Sequence, residues 1–134
     1  MRTLNSVFIV DDDPIIVFGI KKMLSNLVVC EKVSSFSNGQ LAIDGIKDTM
    51  KQGIPVPDVI FLDINMPIMD GWQFLAEFIQ LPIKQKVRIN IVTSSIDKAD
   101  RKMWNFYECQ SHHLITYNNK PLKKDEMREI AKKA

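Results

Sequence analysis

Three aspartates, Asp11, Asp12 and Asp13, follow the apolar run VFIV, and a fourth, Asp63, follows VIFL in the segment VIFLDINMPIMDG. Two carboxylates about 4 Å apart repel by roughly 4 kcal/mol at an effective dielectric of 20. Such a cluster is a place for a hard divalent cation, for protonation, or for chemistry at one of the carboxylates. Two further polar positions end apolar stretches: Thr93, followed by Ser94 and Ser95, and Lys120, followed by Pro121. Brought together, these groups would offer carboxylates, a hydroxyl and an amine. Mg²⁺, which takes oxygen ligands from one or two carboxylates, water and phosphate, suits that set.

Whether they converge depends on the elements that carry them. Val7–Val10 and Val59–Leu62 are short apolar runs rich in β-branched residues, the pattern of parallel strands buried on both faces. In an open parallel sheet, ligands bind in the crevice beyond the carboxyl ends of the strands. The rest of the chain alternates strand-like and helix-like stretches, which argues for βαβ units. The expected strands are completed by Val28–Phe36, the run RINIVTSS and His113–Tyr117. Ile16, Ile20, Met23, Leu24 and Leu27 repeat at helical spacing after Pro14. Ala42, Ile46 and Met50 share one face of a second helix that Gly53 ends. Asp70 caps a third that buries Phe74, Leu75, Phe78 and Ile79 and stops at Pro82; Asp97 caps a fourth carrying Ala99 and Met103. A short last helix is expected over Pro121–Lys133. The fold expected is α/β: a doubly wound five-stranded parallel sheet with five helices, as one domain over residues 1–134.

Composition sets the outer limits. The chain has 134 residues, 46% of them hydrophobic and 25% charged, values of an ordinary globular domain with room for a core. Eighteen basic against 16 acidic residues leave a net charge of +2, too balanced to point to nucleic acid. No apolar run is long enough for a membrane span, and MRTLNSVFIV lacks a signal-peptide pattern, so a cytoplasmic location is expected. Cys30 and Cys109 lie far apart without CxxC spacing and read as reduced packing residues.

In this arrangement the chain closely resembles the receiver domain of two-component response regulators. The matching pieces are DDDP, LDINMPIMDG, TSS and YNNKP, placed in the right order after strands one, three, four and five. Each is common alone; the four together are specific. The resemblance implies the flavodoxin-like strand order 2-1-3-4-5. It implies that Asp63 accepts a phosphoryl group and that Asp11, Asp12, Asp63 and the backbone carbonyl of Asn65 hold Mg²⁺. Thr93 would bond a phosphoryl oxygen, Lys120 would pair with the aspartate and then with the phosphoryl group, and Tyr117 would be the aromatic switch residue. The implied partners are a histidine kinase or phosphotransfer protein and an output protein not named by the sequence. Asn65 and Ser95 match positions that tune phosphoryl lifetime. With the chain ending one helix after Lys120, a single-domain regulator is expected, a fragment of a longer regulator being the alternative.

Asp13, next to Pro14, is expected to cap the first helix rather than face the site. Gly71 and Pro67 would shape the loop after Asp63 so that backbone amides approach the phosphate. Trp72 reads as a partly exposed first-turn residue, and His112 and His113 as surface or strand-start residues without metal-ligand spacing. An aspartate-dependent phosphatase of the haloacid dehalogenase type wants a second aspartate as general acid where this chain has Asn65. A flavodoxin-like flavin carrier would meet repulsion between its phosphate and Asp11–Asp13. A signalling switch rather than an enzyme is the expectation.

Overall fold

Residues 2–94 and 97–133 are described by a computed structural model. Five parallel strands lie in the order 2-1-3-4-5: β1 (Arg2–Val10), β2 (Val28–Phe36), β3 (Val59–Leu62), β4 (Arg88–Thr93) and β5 (Leu114–Asn119). Between and after them run α1 (Pro14–Leu27), α2 (Gly39–Lys51), α3 (Gly71–Phe78), α4 (Lys98–Gln110) and α5 (Lys124–Lys133). The apolar runs behave as expected, for β3 and β4 are buried along their full length. One face of the sheet packs Phe8, Val10, Ile60, Leu62, Ile89 and Ile91 against α2 and α3. The other packs Val7, Ile9, Phe61 and Val92 against Ile20 and Leu24 of α1 and Met127 and Ile130 of α5.

Helix starts follow from side chains that satisfy first-turn N–H groups. Asp13 accepts from the Ile15 N–H at 2.9 Å with Pro14 at the first helical position, as expected. Asn38 caps α2, and Asp97 caps α4. Asp70 and Gln73 form a reciprocal capping box on α3.

Several boundaries differ from the sequence reading. β1 begins at Arg2 rather than Val7, because Arg2–Leu4 pair with Val28–Cys30 of β2. Its first half lacks a continuous apolar run because β3 flanks only Val7–Val10. β5 is displaced to Leu114–Asn119, and α5 starts at Lys124 rather than Pro121, where the Glu126 carboxylate accepts the Lys123 N–H at 3.0 Å. Ile79 is the C-terminal cap of α3 and only half-buried.

Candidate functional site

β1 and β3 are neighbours with Val10 opposite Leu62, so the residues that leave their carboxyl ends, Asp11 and Asp63, emerge side by side. Backbone pairing continues past the strands: the Asp63 N–H donates to the Val10 carbonyl at 2.9 Å and the Asp11 N–H to the Phe36 carbonyl at 3.0 Å. The first aspartate run divides by role. Asp13 turns to the helix cap, while oxygens of Asp11, Asp12 and Asp63 lie within 4.8 Å of one another. Asp11 and Asp63 are each 6% exposed, whereas Asp12 faces solvent.

Lys120 reaches this cluster from the end of β5. Its Nζ stands 3.1 Å from Asp11 Oδ2 and 3.4 Å from Asp63 Oδ1. Its own N–H donates to the carbonyl of Thr93 at 2.9 Å, which ties the loop after β5 to the end of β4. Thr93 is fully buried as the last residue of β4. Asn65 is exposed two residues after Asp63, and Tyr117 is half-buried on β5 with its ring 6.0 Å from that of Trp104. Ser95 lies outside the described residues.

Burial and the neighbouring Asp11 carboxylate push the Asp63 carboxyl above its ordinary range, against the opposing pull of Lys120 and of the Ile64 N–H on Oδ1. Burial works against the Lys120 ammonium, yet the hydrogen bond and charge of Asp11, with the help of Asp63, hold its pKa above the usual value. Three carboxylates against one ammonium leave two formal negative charges in the cluster. A divalent cation neutralises that excess, and the all-oxygen donor set is the kind Mg²⁺ takes. The residues fit the metal.

The loop between Asp63 and α3 is held closely. The Gly71 N–H donates to the Ile64 carbonyl at 2.9 Å, and Ile68 adopts a positive φ of 70° with its side chain 81% exposed. A β-branched residue in that conformation is strained.

Two residues read as peripheral are interior. Trp72, expected as a partly exposed first-turn residue, is buried, and its indole N–H donates to Asp100 of α4 at 3.0 Å. His113 is also buried, because its Nδ1 accepts the Val87 N–H at 2.9 Å and its ring lies 5.0 Å from that of Phe78. Burial, with His112 beside it, lowers its pKa to about 4.

The profile of the response regulator receiver domain matches residues 7–132 of this chain. An uncharacterized response regulatory protein of Vibrio cholerae is 29% identical across 99% of the chain, which spans 46% of that protein. Thus the chain corresponds to about half of that relative's length. The crystal structure of a two component response regulator from Cytophaga hutchinsonii matches with a TM-score of 0.82 at 27% identity, covering 98% of this chain and 97% of that one. The phosphorylated cyanobacterial phytochrome response regulator RcpA matches with a TM-score of 0.72 at 25% identity, covering 96% and 89%.

Proposed function

The chain belongs to the response regulator receiver family of two-component signalling, and from that premise we propose that it is a Mg²⁺-dependent phosphorylation switch whose acceptor is Asp63. The observation that carries this reading is the placement of one ammonium, Lys120, between the buried carboxylates of Asp11 and Asp63 with Asp12 beside them. An ammonium bridging two carboxylates is a stable resting arrangement that also leaves a point charge ready for an incoming phosphate.

The donor is a phosphohistidine of a histidine kinase or phosphotransfer protein. An Asp63 carboxylate oxygen forms the new O–P bond as the donor's P–N bond breaks, and the electron pair returns to the imidazole nitrogen. Both reacting groups are anionic, so catalysis is mostly positioning and charge stabilisation. Asp11, Asp12, Asp63 and the Asn65 carbonyl would hold the Mg²⁺, which when bound neutralises charge on the phosphoryl oxygens. Lys120 turns from Asp63 toward the phosphoryl group, supplying the second positive charge. Thr93, buried at the end of β4, gives its hydroxyl to a phosphoryl oxygen. Its displacement opens space on the face of β4 that Tyr117 enters from β5, where Tyr117 pairs with Ile91. The switch is therefore read out on the surface of α4, β5 and α5 by an output protein or by the next member of a phosphorelay.

On this reading the protein works in the cytoplasm as a signalling module rather than an enzyme, with residues 1–134 acting as one receiver unit and neither nucleic acid nor membrane as partner. No helix among the described residues is long and apolar enough to cross a membrane. The test is incubation with acetyl phosphate and Mg²⁺ followed by intact-mass spectrometry. One phosphoryl addition is expected, absent on chelation of the metal and absent in Asp63→Asn. Full labelling of Asp63→Asn would refute the assignment.

A further inference from the structure

Helix α4 is weakly held by its own residues, for none of them is fully buried. Its inward positions, Asp100, Met103, Trp104 and Tyr107, recur at the spacing of one helix face. Two indoles fasten that face. Trp104 of α4 donates its Nε1–H to the Ile115 carbonyl of β5 at 2.9 Å and lies beside Tyr117. Trp72 comes from the other side, out of α3. Its Nε1–H donates to Asp100 at 3.0 Å, and its ring stacks on Tyr107 with centroids 6.1 Å apart and planes 14° from parallel.

Trp72 is also one residue from the tightest joint of the phosphoacceptor loop. The Gly71 N–H binds the Ile64 carbonyl, and a Cβ at Gly71 would fall 2.5 Å from the carbonyl oxygen of Asp63. The start of α3 therefore packs directly on the backbone of Asp63 and Ile64. A set of contacts thus runs from Asp63 through Gly71 and Trp72 to Asp100 and Tyr107 of α4, the helix whose Trp104 ring lies 6.0 Å from that of Tyr117.

We propose that Trp72 is a positioning residue that sets α4 against α3, through its bond to Asp100 and its stack on Tyr107, and so gives the Asp63 loop a second hold on the output surface. The inference rests on the switch reading above for its functional meaning, but the link itself exists in the unphosphorylated protein. A receiver with this link would move α4 only when the start of α3 moves or the Trp72–Asp100 bond breaks, which raises the threshold for switching.

The experiment is amide hydrogen exchange by NMR on the wild type and on Trp72→Phe, Asp100→Ala and Asp100→Asn. Loss of one hydrogen bond of ordinary strength accelerates local opening by about tenfold. Trp72→Phe and Asp100→Ala should therefore speed exchange across Lys102–Glu108 by about tenfold and leave β1 and β3 unchanged. Asp100→Asn keeps a side-chain acceptor and should restore slow exchange. The second readout is the Trp72 indole cross-peak, which should shift when Mg²⁺ and beryllofluoride, a phosphoryl mimic, are added to the wild type. Unchanged α4 exchange in both Trp72→Phe and Asp100→Ala would overturn the proposal, as would an immobile indole peak in protein that acetyl phosphate labels at Asp63. If acetyl phosphate fails to label the wild type, the switch reading falls, while the exchange comparison still decides the link.

Discussion

The Cβ that Gly71 lacks would sit 2.5 Å from the carbonyl oxygen of Asp63 and 2.9 Å from the Cα of Ile64. Both atoms belong to backbone, so neither can yield as a flexible side chain would. Glycine here lets α3 begin directly against the backbone of Asp63, the proposed phosphoacceptor.

Replacing Gly71 with alanine should displace the loop from Asp63 to Asp70. Overpacking of a well-fitted site costs about 1–3 kcal/mol, and urea unfolding should register a loss of that size. Labelling by acetyl phosphate should slow at the same time, since the Asp63 carboxylate moves with its backbone. A variant with wild-type stability and wild-type labelling rate would show that the loop gives way freely.

Metal binding should stabilise the fold through relief of the Asp11, Asp12 and Asp63 repulsion. A ligand at 100 times its dissociation constant contributes about 2.7 kcal/mol, so Mg²⁺ should raise the melting temperature and chelation should reverse the rise. Asp12→Asn should abolish most of the Mg²⁺ effect. Asp12 is exposed, so its repulsion is screened, and the same substitution should change metal-free stability by only about 1 kcal/mol or less. Asp13→Ala should instead lower stability by about 1 kcal/mol through loss of the α1 cap while leaving the Mg²⁺ increment intact. Equal loss of the Mg²⁺ effect in both variants would break the division of roles between the cap and the metal site.

His113 sets an acid limit on stability. Its Nδ1 accepts a hydrogen bond from the Val87 N–H, and burial lowers its pKa to about 4. The unfolded chain, with an ordinary histidine near 6.5, binds the proton more readily than the folded one. Stability from this residue is therefore fully present above about pH 6.5 and is lost as the pH falls toward 4, by up to about 3 kcal/mol. Urea midpoints at a series of pH values should show that slope, and His113→Gln should flatten it. A slope unchanged in the variant would assign it to the carboxylates instead.

The acidic cluster could be anticipated in the sequence because Asp11 and Asp63 each directly follow a short apolar run, at the ends of two adjacent strands. The bounds of β2, Val28–Phe36, agree with the sequence reading. The polar interior of the sheet could not be anticipated in this way. Asn90 is fully buried in the run RINIVT and accepts from Arg88 at 3.2 Å and from Thr116 at 2.9 Å, while Asn118 bonds Thr116 at 3.0 Å. Asn90 and Thr116 meet only through the β4–β5 register, which no local pattern specifies. Trp72, at the start of α3, and His113, immediately before β5, are more buried than their local sequence suggests because each ring nitrogen has a partner distant in the chain. Conversely, β1 outran its apolar run because half of it has a strand on one side only.

The most direct test of the account is to locate the phosphoryl group itself. Treatment with acetyl phosphate and Mg²⁺ followed by borohydride reduces an aspartyl phosphate to homoserine, a permanent mark at the acceptor. Peptide sequencing by mass spectrometry should find homoserine at position 63 and aspartate retained at positions 11, 12, 13 and 70. Homoserine at Asp12 or Asp13 with Asp63 unmodified would contradict the assignment of Asp63 as the phosphoacceptor.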